Sequence, residues 1–266
     1  MTTISIKKLW KEYQSQVVLE NVNLFIKDHE FVTIVGASGC GKTTFLRMLL
    51  GEESPTRGEF LIDGEPLPNE PGVDRGIVFQ RYSLFPHLTV LENLMLGLEL
   101  GSSRFLGKLF GQKYKDALEK AEHMLEEVGL YAARFKYPAQ LSGGMQQRLS
   151  IAQSVIKEPK ILLLDEPFGA LDPGISADMH KLILRLWQAH KMTIFMITHD
   201  IKEGFELGTR LLVFDKVRLD AQAPEAFGAT ITYDIPLANK RPALIQEIKA
   251  RQTQTEQFSE SVAANS

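Results

Sequence analysis

Residues 31–50 read FVTIVGASGCGKTTFLRMLL, and this stretch decides the fold. The nearly continuous apolar run over 31–35 is typical of a buried strand, whereas the apolar spacing over 45–50 predicts a helix. Between them lies GASGCGKT, a glycine-rich turn whose backbone N–H groups and helix start can bind phosphate oxygens. The segment therefore predicts a phosphate-binding loop in which a nucleotide contacts Gly36, Ala37, Ser38, Gly39, Cys40, Gly41, Lys42, Thr43 and Thr44.

Two side chains at the end of this loop have distinct expected roles. Lys42 is placed to reach the β- and γ-phosphate oxygens, and the hydroxyl of Thr43 suits Mg²⁺. The alternative is a glycine-rich turn that binds nothing, but the strand before it and the helix after it favour a phosphate site. Cys40 lies inside the loop and is interpreted as a residue of suitable size without a catalytic role. The loop alone does not separate ATPases, GTPases and nucleotide kinases, so it predicts a bound nucleotide and Mg²⁺.

The rest of the chain alternates strand and helix patterns. Short apolar runs at 76–79, 161–164 and 193–197 predict further buried strands, and apolar stripes at helical spacing separate them. This alternation predicts an α/β fold, a P-loop NTPase core with a largely parallel sheet. Residues 86–158 contain no convincing strand and predict an α-helical subdomain inserted between two sheet strands. We expect a core of 1–86 and 159–220, a helical subdomain of 87–158, and a C-terminal extension of 221–266 with a polar, frayed end.

Polar residues follow three of the predicted strands. Asp165 and Glu166 end the strand over 161–164, Gln80 follows the strand over 76–79, and His199 follows the strand over 193–197. Because parallel strands place their carboxyl ends at one edge of a sheet, we expect these groups to meet in one crevice with the phosphate loop. Asp165 and Gln80 suit a Mg²⁺ shell, and Glu166 suits the base that polarises water. His199 and Gln80 are expected to contact the γ-phosphate.

Composition excludes several classes of protein. With 30 Lys plus Arg against 33 Asp plus Glu, the net charge of -3 offers no general attraction to nucleic acid. The single cysteine and the absence of a signal-like N-terminus fit the cytoplasm. No apolar run approaches the roughly 20 residues that a membrane helix needs, so membrane association is expected through a partner.

The segment LSGGMQQR at 141–148 is the most specific signal in the chain. Ser142 is placed to cap a helix, and Gly143 and Gly144 permit a close approach of backbone to an anion. The segment resembles the LSGGQ signature of ATP-binding-cassette (ABC) ATPases, and the resemblance covers about residues 4–214. It implies a head-to-tail homodimer, in which Ser142, Gly143 and Gly144 of one copy contact the nucleotide on the phosphate loop of the other.

The same resemblance implies further features. The family fold includes N-terminal antiparallel β-strands. The resemblance also implies that Tyr13 stacks on adenine and that Asp172 lies at the interface between the two subunits. Its ATPases work at the cytoplasmic face of the membrane, bound to integral permease subunits through a groove that here includes residues 81–86. Phrases such as SLFPHLTVLENL and DEPFGALDP resemble the nitrate, sulfonate and taurine importers, which implies an indirect partnership with a solute-binding protein.

The sequence departs from the family pattern at two places, and three alternatives to an importer subunit stay open. Residues 207–210 lack the usual Ala-Asp-Arg, and residues 215–218 replace a glycine-containing hairpin. With the atypical section 221–236, these departures argue against assigning the cargo of the resembling importers to this chain. The alternatives are a soluble ABC ATPase without a permease, an exporter subunit, and a catalytically dead regulator. The presence of every expected catalytic group disfavours the last of these.

Overall fold

The computed structural model describes residues 2–68, 70–79, 83–102, 109–169, 171–218, 222 and 226–237. Contacts divide the chain into two units, one of Met1–Gly72 with Thr193–Ser266 and one of Val73–Met192. No helix in these described ranges is both long and apolar enough to cross a membrane.

The first unit contains eight strands and two helices among its described residues. They are β1 (Ile4–Tyr13), β2 (Gln16–Ile26), β3 (Phe31–Gly36), α1 (Lys42–Leu50), β4 (Arg57–Ile62), β5 (Glu65–Pro66), β8 (Thr193–Ile197), α6 (Ile201–Leu207), β9 (Arg210–Asp215) and β10 (Thr230–Pro236). The described part of the second unit contains β6 (Arg75–Val78), α2 (Val90–Ser102), α3 (Gln112–Glu127), α4 (Gly143–Val155), β7 (Ile161–Asp165) and α5 (Pro173–His190), with short 3₁₀ turns at Tyr131–Ala133 and Pro138–Gln140.

An antiparallel sheet forms one layer of the first unit. Its strand order is β2-β1-β4-β5, and Ile4 of β1 pairs with Ile26 of β2 on one side and Ile62 of β4 on the other. These three isoleucine side chains are buried, while Ser5, the next residue of β1, is only half-buried because successive side chains of a strand alternate between the two faces of the sheet. The N-terminal antiparallel strands that the family resemblance implied are confirmed.

A largely parallel sheet carries the phosphate loop in the first unit. β3 pairs in parallel with β8 and β9, and β10 adds to β9 in the antiparallel direction. Every residue of β3 and β8 is buried, which explains why both read as continuous apolar runs. α1 packs here through Phe45, whose ring centroid lies 5.2 Å from that of Phe214 and 6.4 Å from that of Phe195.

The second unit combines a parallel strand pair with four helices. β6 pairs with β7 from Arg75↔Ile161 to Val78↔Leu164. α4 lies against β6, where the Ser154 hydroxyl donates to the Ile77 carbonyl at 2.7 Å. Between residues 83 and 158 the described chain contains helices and turns but no strand, so the predicted helical insertion is confirmed.

The predicted subdomain boundaries stay a prediction. The two units meet at residues 72–73 and 192–193, so β6 and β7 belong to the unit that contains the four helices. β10 lies within the C-terminal extension of 221–266, for which the sequence analysis predicts no strand. Its side chains are mostly half-buried, so it shows neither the continuous apolar run nor the clean alternation of a strand signal. Residues 238–266, with the end expected to fray, lie outside the described residues.

Candidate functional site

The phosphate loop turns into α1 at a position that only glycine fits. Gly41 precedes the helix with φ 84°, a left-handed conformation. A Cβ atom there would lie 2.8 Å from Leu19 Cδ2 and 2.9 Å from Val18 Cγ1. The loop therefore needs Gly41 for its backbone conformation and for its close approach to β2.

Lys42 points back into the loop. Its side chain is buried, and its Nζ donates to the carbonyls of Gly36 at 2.7 Å and Ala37 at 2.8 Å. The loop carbonyls thus hold a cation beside the backbone N–H groups at the start of α1. A phosphate in this loop would offer the ammonium a charged acceptor in place of neutral carbonyls.

Cys40 is buried beside this lysine. Burial raises the pKa of its thiol, and the Lys42 ammonium, 3.8 Å from Sγ, opposes the rise without cancelling it. A thiol with a raised pKa is protonated at neutral pH and is a poor nucleophile. This agrees with the interpretation of Cys40 as a space-filling residue.

Tyr13 and the first turn of α1 are brought together. Tyr13 ends β1, its side chain is 41% exposed, and its phenol interacts with the side chain of Thr44. The hydroxyl donates to the carboxylate of Glu53, and burial together with Glu53 raises the pKa of Tyr13 to about 12. An aromatic ring is therefore available near the phosphate loop. The neighbouring Thr43 is exposed in the same helical turn.

His199 lies at the same sheet edge as the phosphate loop. β3 and β8 pair in parallel up to Ile34↔Ile197, so the residues that follow these two strands emerge side by side. Around His199, Thr198 donates to Glu203, and the Asp200 side chain accepts from the backbone of Lys202 at 2.8 Å to cap α6. These bonds fix the turn on which the exposed His199 stands.

The acidic pair occupies the end of β7 in the second unit. Asp165 and Glu166 are both half-buried, and Glu166 has φ 49°, in the left-handed region that non-glycine residues seldom occupy. The next carbonyl, of Pro167, accepts from Nε2 of the fully buried Gln147 at 2.7 Å. A side chain from α4 thus supports the turn that presents Glu166.

The predicted signature begins α4 as expected. Ser142 is the N-cap, and its side chain accepts from the backbone of Met145 at 3.3 Å. Ser142 and Gly143 are exposed, whereas Gly144 is buried where a Cβ atom would lie 2.8 Å from Ile175 Cγ2 on α5. The helix start is therefore open to an anion, and its second glycine permits close packing between helices.

The predicted site residues fall into two groups. The first unit holds Tyr13, the phosphate loop from Gly36 to Thr44, and His199, while the second holds Ser142, Gly143, Gly144, Asp165 and Glu166. Gln80 lies outside the described residues. Within the described part of the chain, no cluster of three or more His, Cys, Asp or Glu is arranged to hold a metal ion.

Sequence reasoning missed two residues near these groups. Glu53 contacts Tyr13 across 40 residues of sequence, and no local pattern links the two. Gln147 gave a weak signal, because it is a polar residue in the helix that follows the signature, but only the fold shows that it is buried against Pro167.

Comparison with known proteins gives one consistent family. Residues 19–169 match the family described as "ABC transporter". The chain is 41% identical over 228 residues to the nitrate import ATP-binding protein NrtD of Synechocystis sp., covering 86% of this chain and 80% of that protein. It is 38% identical over 215 residues to the aliphatic sulfonates import ATP-binding protein SsuB of Bacillus anthracis, covering 79% and 80%.

A solved structure shares the architecture. A dimeric post-hydrolysis state of the ATP-binding cassette MJ0796, bound to ADP and Pi, aligns with a TM-score of 0.69 and 30% sequence identity. The alignment covers 89% of this chain and all of that one.

Proposed function

Because the chain belongs to the ABC transporter family, we propose that it is the ATP-hydrolysing subunit of an importer that moves a small solute across the cytoplasmic membrane. The observation that carries this proposal is the phosphate loop, where Lys42 is buried against the Gly36 and Ala37 carbonyls at the start of α1. The cargoes named for the relatives are nitrate and aliphatic sulfonates, which suggest a small anion.

We assign the chemical roles by residue type and position. Lys42 binds the β- and γ-phosphates, Glu166 orients and polarises the attacking water, and His199 donates to the γ-phosphate. Gln80 is proposed as the residue that responds to the γ-phosphate. The half-buried position of Glu166 at the end of β7 supports its role, because partial desolvation strengthens an interaction with water and phosphate.

The donor set fits Mg²⁺. This ion prefers hard oxygen ligands, and Thr43 offers an exposed hydroxyl while Asp165 offers a carboxylate at a strand end. With the Gln80 amide, these residues would hold Mg²⁺ together with phosphate oxygens and water. When bound, the ion would neutralise the negative charge that develops on the phosphates during hydrolysis. The chain's own residues then have to orient the nucleotide and the water.

We further propose that two copies assemble head to tail. The exposed start of α4 at Ser142 and Gly143 supports this, since N–H groups in the first turn of a helix have no partner within the helix and could bind a phosphate held by the other copy. Asp172, exposed at the N-cap of α5, would lie at the interface and connect the two sites. ATP would close the dimer, and hydrolysis would reopen it.

A groove in the second unit is the proposed site for the permease subunits. It has a volume of about 360 Å³ and is lined in part by exposed apolar side chains, namely Val73, Phe79, Phe85 and Leu100. Exposed apolar patches of this kind mark protein contacts. Through it the chain would sit at the cytoplasmic face of the membrane, and a solute-binding protein would act from the other side.

Lys42→Ala tests the phosphate assignment. We expect the variant to lose most ATP affinity and hydrolysis, because the only charged group of the loop is removed. Lys202→Ala, a surface lysine on α6, is the matched control and should hydrolyse ATP normally. Normal ATP binding by Lys42→Ala, measured by titration calorimetry, would show that the assignment is wrong.

Leu100→Glu tests the docking groove. A charge in the apolar groove should abolish co-purification with an integral membrane protein while the ATPase activity of the isolated subunit persists. Val217→Glu, an exposed apolar position in the first unit, is the control. Retention of the membrane partner by Leu100→Glu, or recovery of ribosomal RNA or DNA in its place, would contradict the proposal.

A further inference from the structure

The ring of Tyr13 is tied to the helix that carries the phosphate loop. Its hydroxyl donates to Glu53, which follows the end of α1 by three residues. The phenol also interacts with the side chain of Thr44 in the first turn of α1. The first turn of α1 and the segment that follows α1 thus both hold the Tyr13 ring in position.

Glu53 is itself held firmly. Lys11 Nζ lies 3.1 Å from Oε2, Arg47 Nη1 lies 3.6 Å from Oε1, and the Glu53 side chain is only 17% exposed. Burial alone would raise the pKa of Glu53, but hydrogen bonds from Tyr13 and Lys11 and the nearby cations lower it overall. The carboxylate is therefore a charged acceptor at neutral pH, fixed between β1 and α1.

Lys11 also fixes the face that the ring presents. Its Nζ lies 4.7 Å from the centroid of the Tyr13 ring, within the range of a cation–π contact, and it donates to the Ser54 carbonyl at 2.9 Å. One face of the ring is thus covered by a cation. A planar base would stack on the opposite face, as bases do on aromatic side chains.

We propose that Glu53 is a positioning residue for the nucleobase: it holds the Tyr13 ring at a set distance from the phosphate loop, so that the base and the phosphates of one nucleotide bind together. The inference rests on the proposed nucleotide site and adds to it a residue outside the loop, signature and strand-end motifs. A ring ordered before binding loses less freedom when the base arrives, which favours affinity.

The test compares ADP with inorganic pyrophosphate at constant Mg²⁺ by titration calorimetry. Glu53→Ala and Tyr13→Phe should each weaken ADP binding about three- to tenfold, because each variant loses part of the energy of base stacking. Both variants should leave pyrophosphate binding unchanged. The double variant should be no weaker than either single variant, because both break the same contact. Glu52→Ala, an exposed neighbouring carboxylate, is the control and should bind ADP like the wild type.

Each contrary result has its own meaning. An equal loss of ADP and pyrophosphate in Glu53→Ala would show that Glu53 supports the phosphate loop and would overturn the inference. Unchanged ADP binding in Glu53→Ala, together with a loss in Tyr13→Ala, would show that the Tyr13 ring stacks on the base without help from Glu53, and would also overturn the inference. If Glu53→Ala does not fold, unchanged ADP binding in Tyr13→Phe overturns the inference. A wild-type chain that binds neither probe would contradict the proposed function itself.

Discussion

Single glycines set the geometry of the loop, and Gly41 is the clearest case. Gly41→Ala should destabilise the protein by about 2 kcal/mol, because the new Cβ meets Leu19 and Val18 in a left-handed backbone. Thermal denaturation measures the change. Gly174→Ala is the matched control: among the described residues, no atom outside its own helix turn and chain neighbours lies within 4 Å of the added Cβ. This helical position should therefore gain up to about 1 kcal/mol. A Gly41→Ala variant as stable as Gly174→Ala would contradict the geometry.

Cys40 offers a pH-dependent prediction at the same scale. Because burial raises the pKa of its thiol, the reactive thiolate forms at higher pH than in an unfolded chain. Alkylation by a maleimide at pH 8 should therefore be much slower in the native protein than in the denatured one, and should accelerate as the pH rises further. This cysteine is the only one in the sequence, so mass spectrometry reads the rate directly. Equal rates in both states at pH 8 would refute the prediction.

At the scale of elements, one arginine adds side-chain hydrogen bonds between β9 and β10. Arg210 on β9 donates from Nε and Nη2 to the two Asp234 oxygens, each at 2.6 Å, and from Nη1 to the Phe25 carbonyl at 2.8 Å and to Glu30 at 3.1 Å. The hydrogen bonds to Asp234, followed by those to Glu30, raise the pKa of Arg210 against the effect of burial. β10 is thus joined to β9 by side chains as well as by the backbone ladder.

Asp234→Ala should cost about 1 kcal/mol of folding free energy, a modest value because Asp234 is 40% exposed and solvent screens the pair. Urea denaturation measures it. The control is Asp178→Ala, which breaks the exposed pair with Lys181 and should change stability by less than about 0.5 kcal/mol. A loss no larger than that of the control would mean that the backbone ladder alone holds β10.

Elements with a local signal were predictable, and those fixed by distant contacts were not. The strand at 193–197 was predicted residue for residue, since buried parallel strands read as apolar runs. α1 begins at Lys42, three residues before its apolar pattern, because the loop glycines set its start. β10 was missed because its half-buried side chains show neither an apolar run nor a clean alternation. The same holds for the site: the loop motif is local, whereas the link between Tyr13 and Glu53 is not.

At the scale of the whole molecule, the chain has two separate features suited to phosphate. One is the loop before α1, which is closed around Lys42, and the other is the exposed start of α4 at Ser142. The solved relative bound to ADP and Pi is a dimer. In the head-to-tail dimer that we propose, the start of α4 would contact the nucleotide on the loop of the other copy.

Glu166→Gln tests this assembly. The amide keeps the size of the side chain but cannot accept a proton from water, so ATP should bind, remain uncleaved and hold two copies together. We expect turnover to fall by at least about a hundredfold, the scale of general base catalysis, and light scattering after size exclusion to show a dimer only with ATP. Glu206→Gln, an exposed carboxylate on α6, should keep wild-type turnover and leave no trapped dimer. If the Glu166→Gln protein binds ATP and stays monomeric, the start of α4 does not contact the nucleotide of a second copy, and each site must work within one chain.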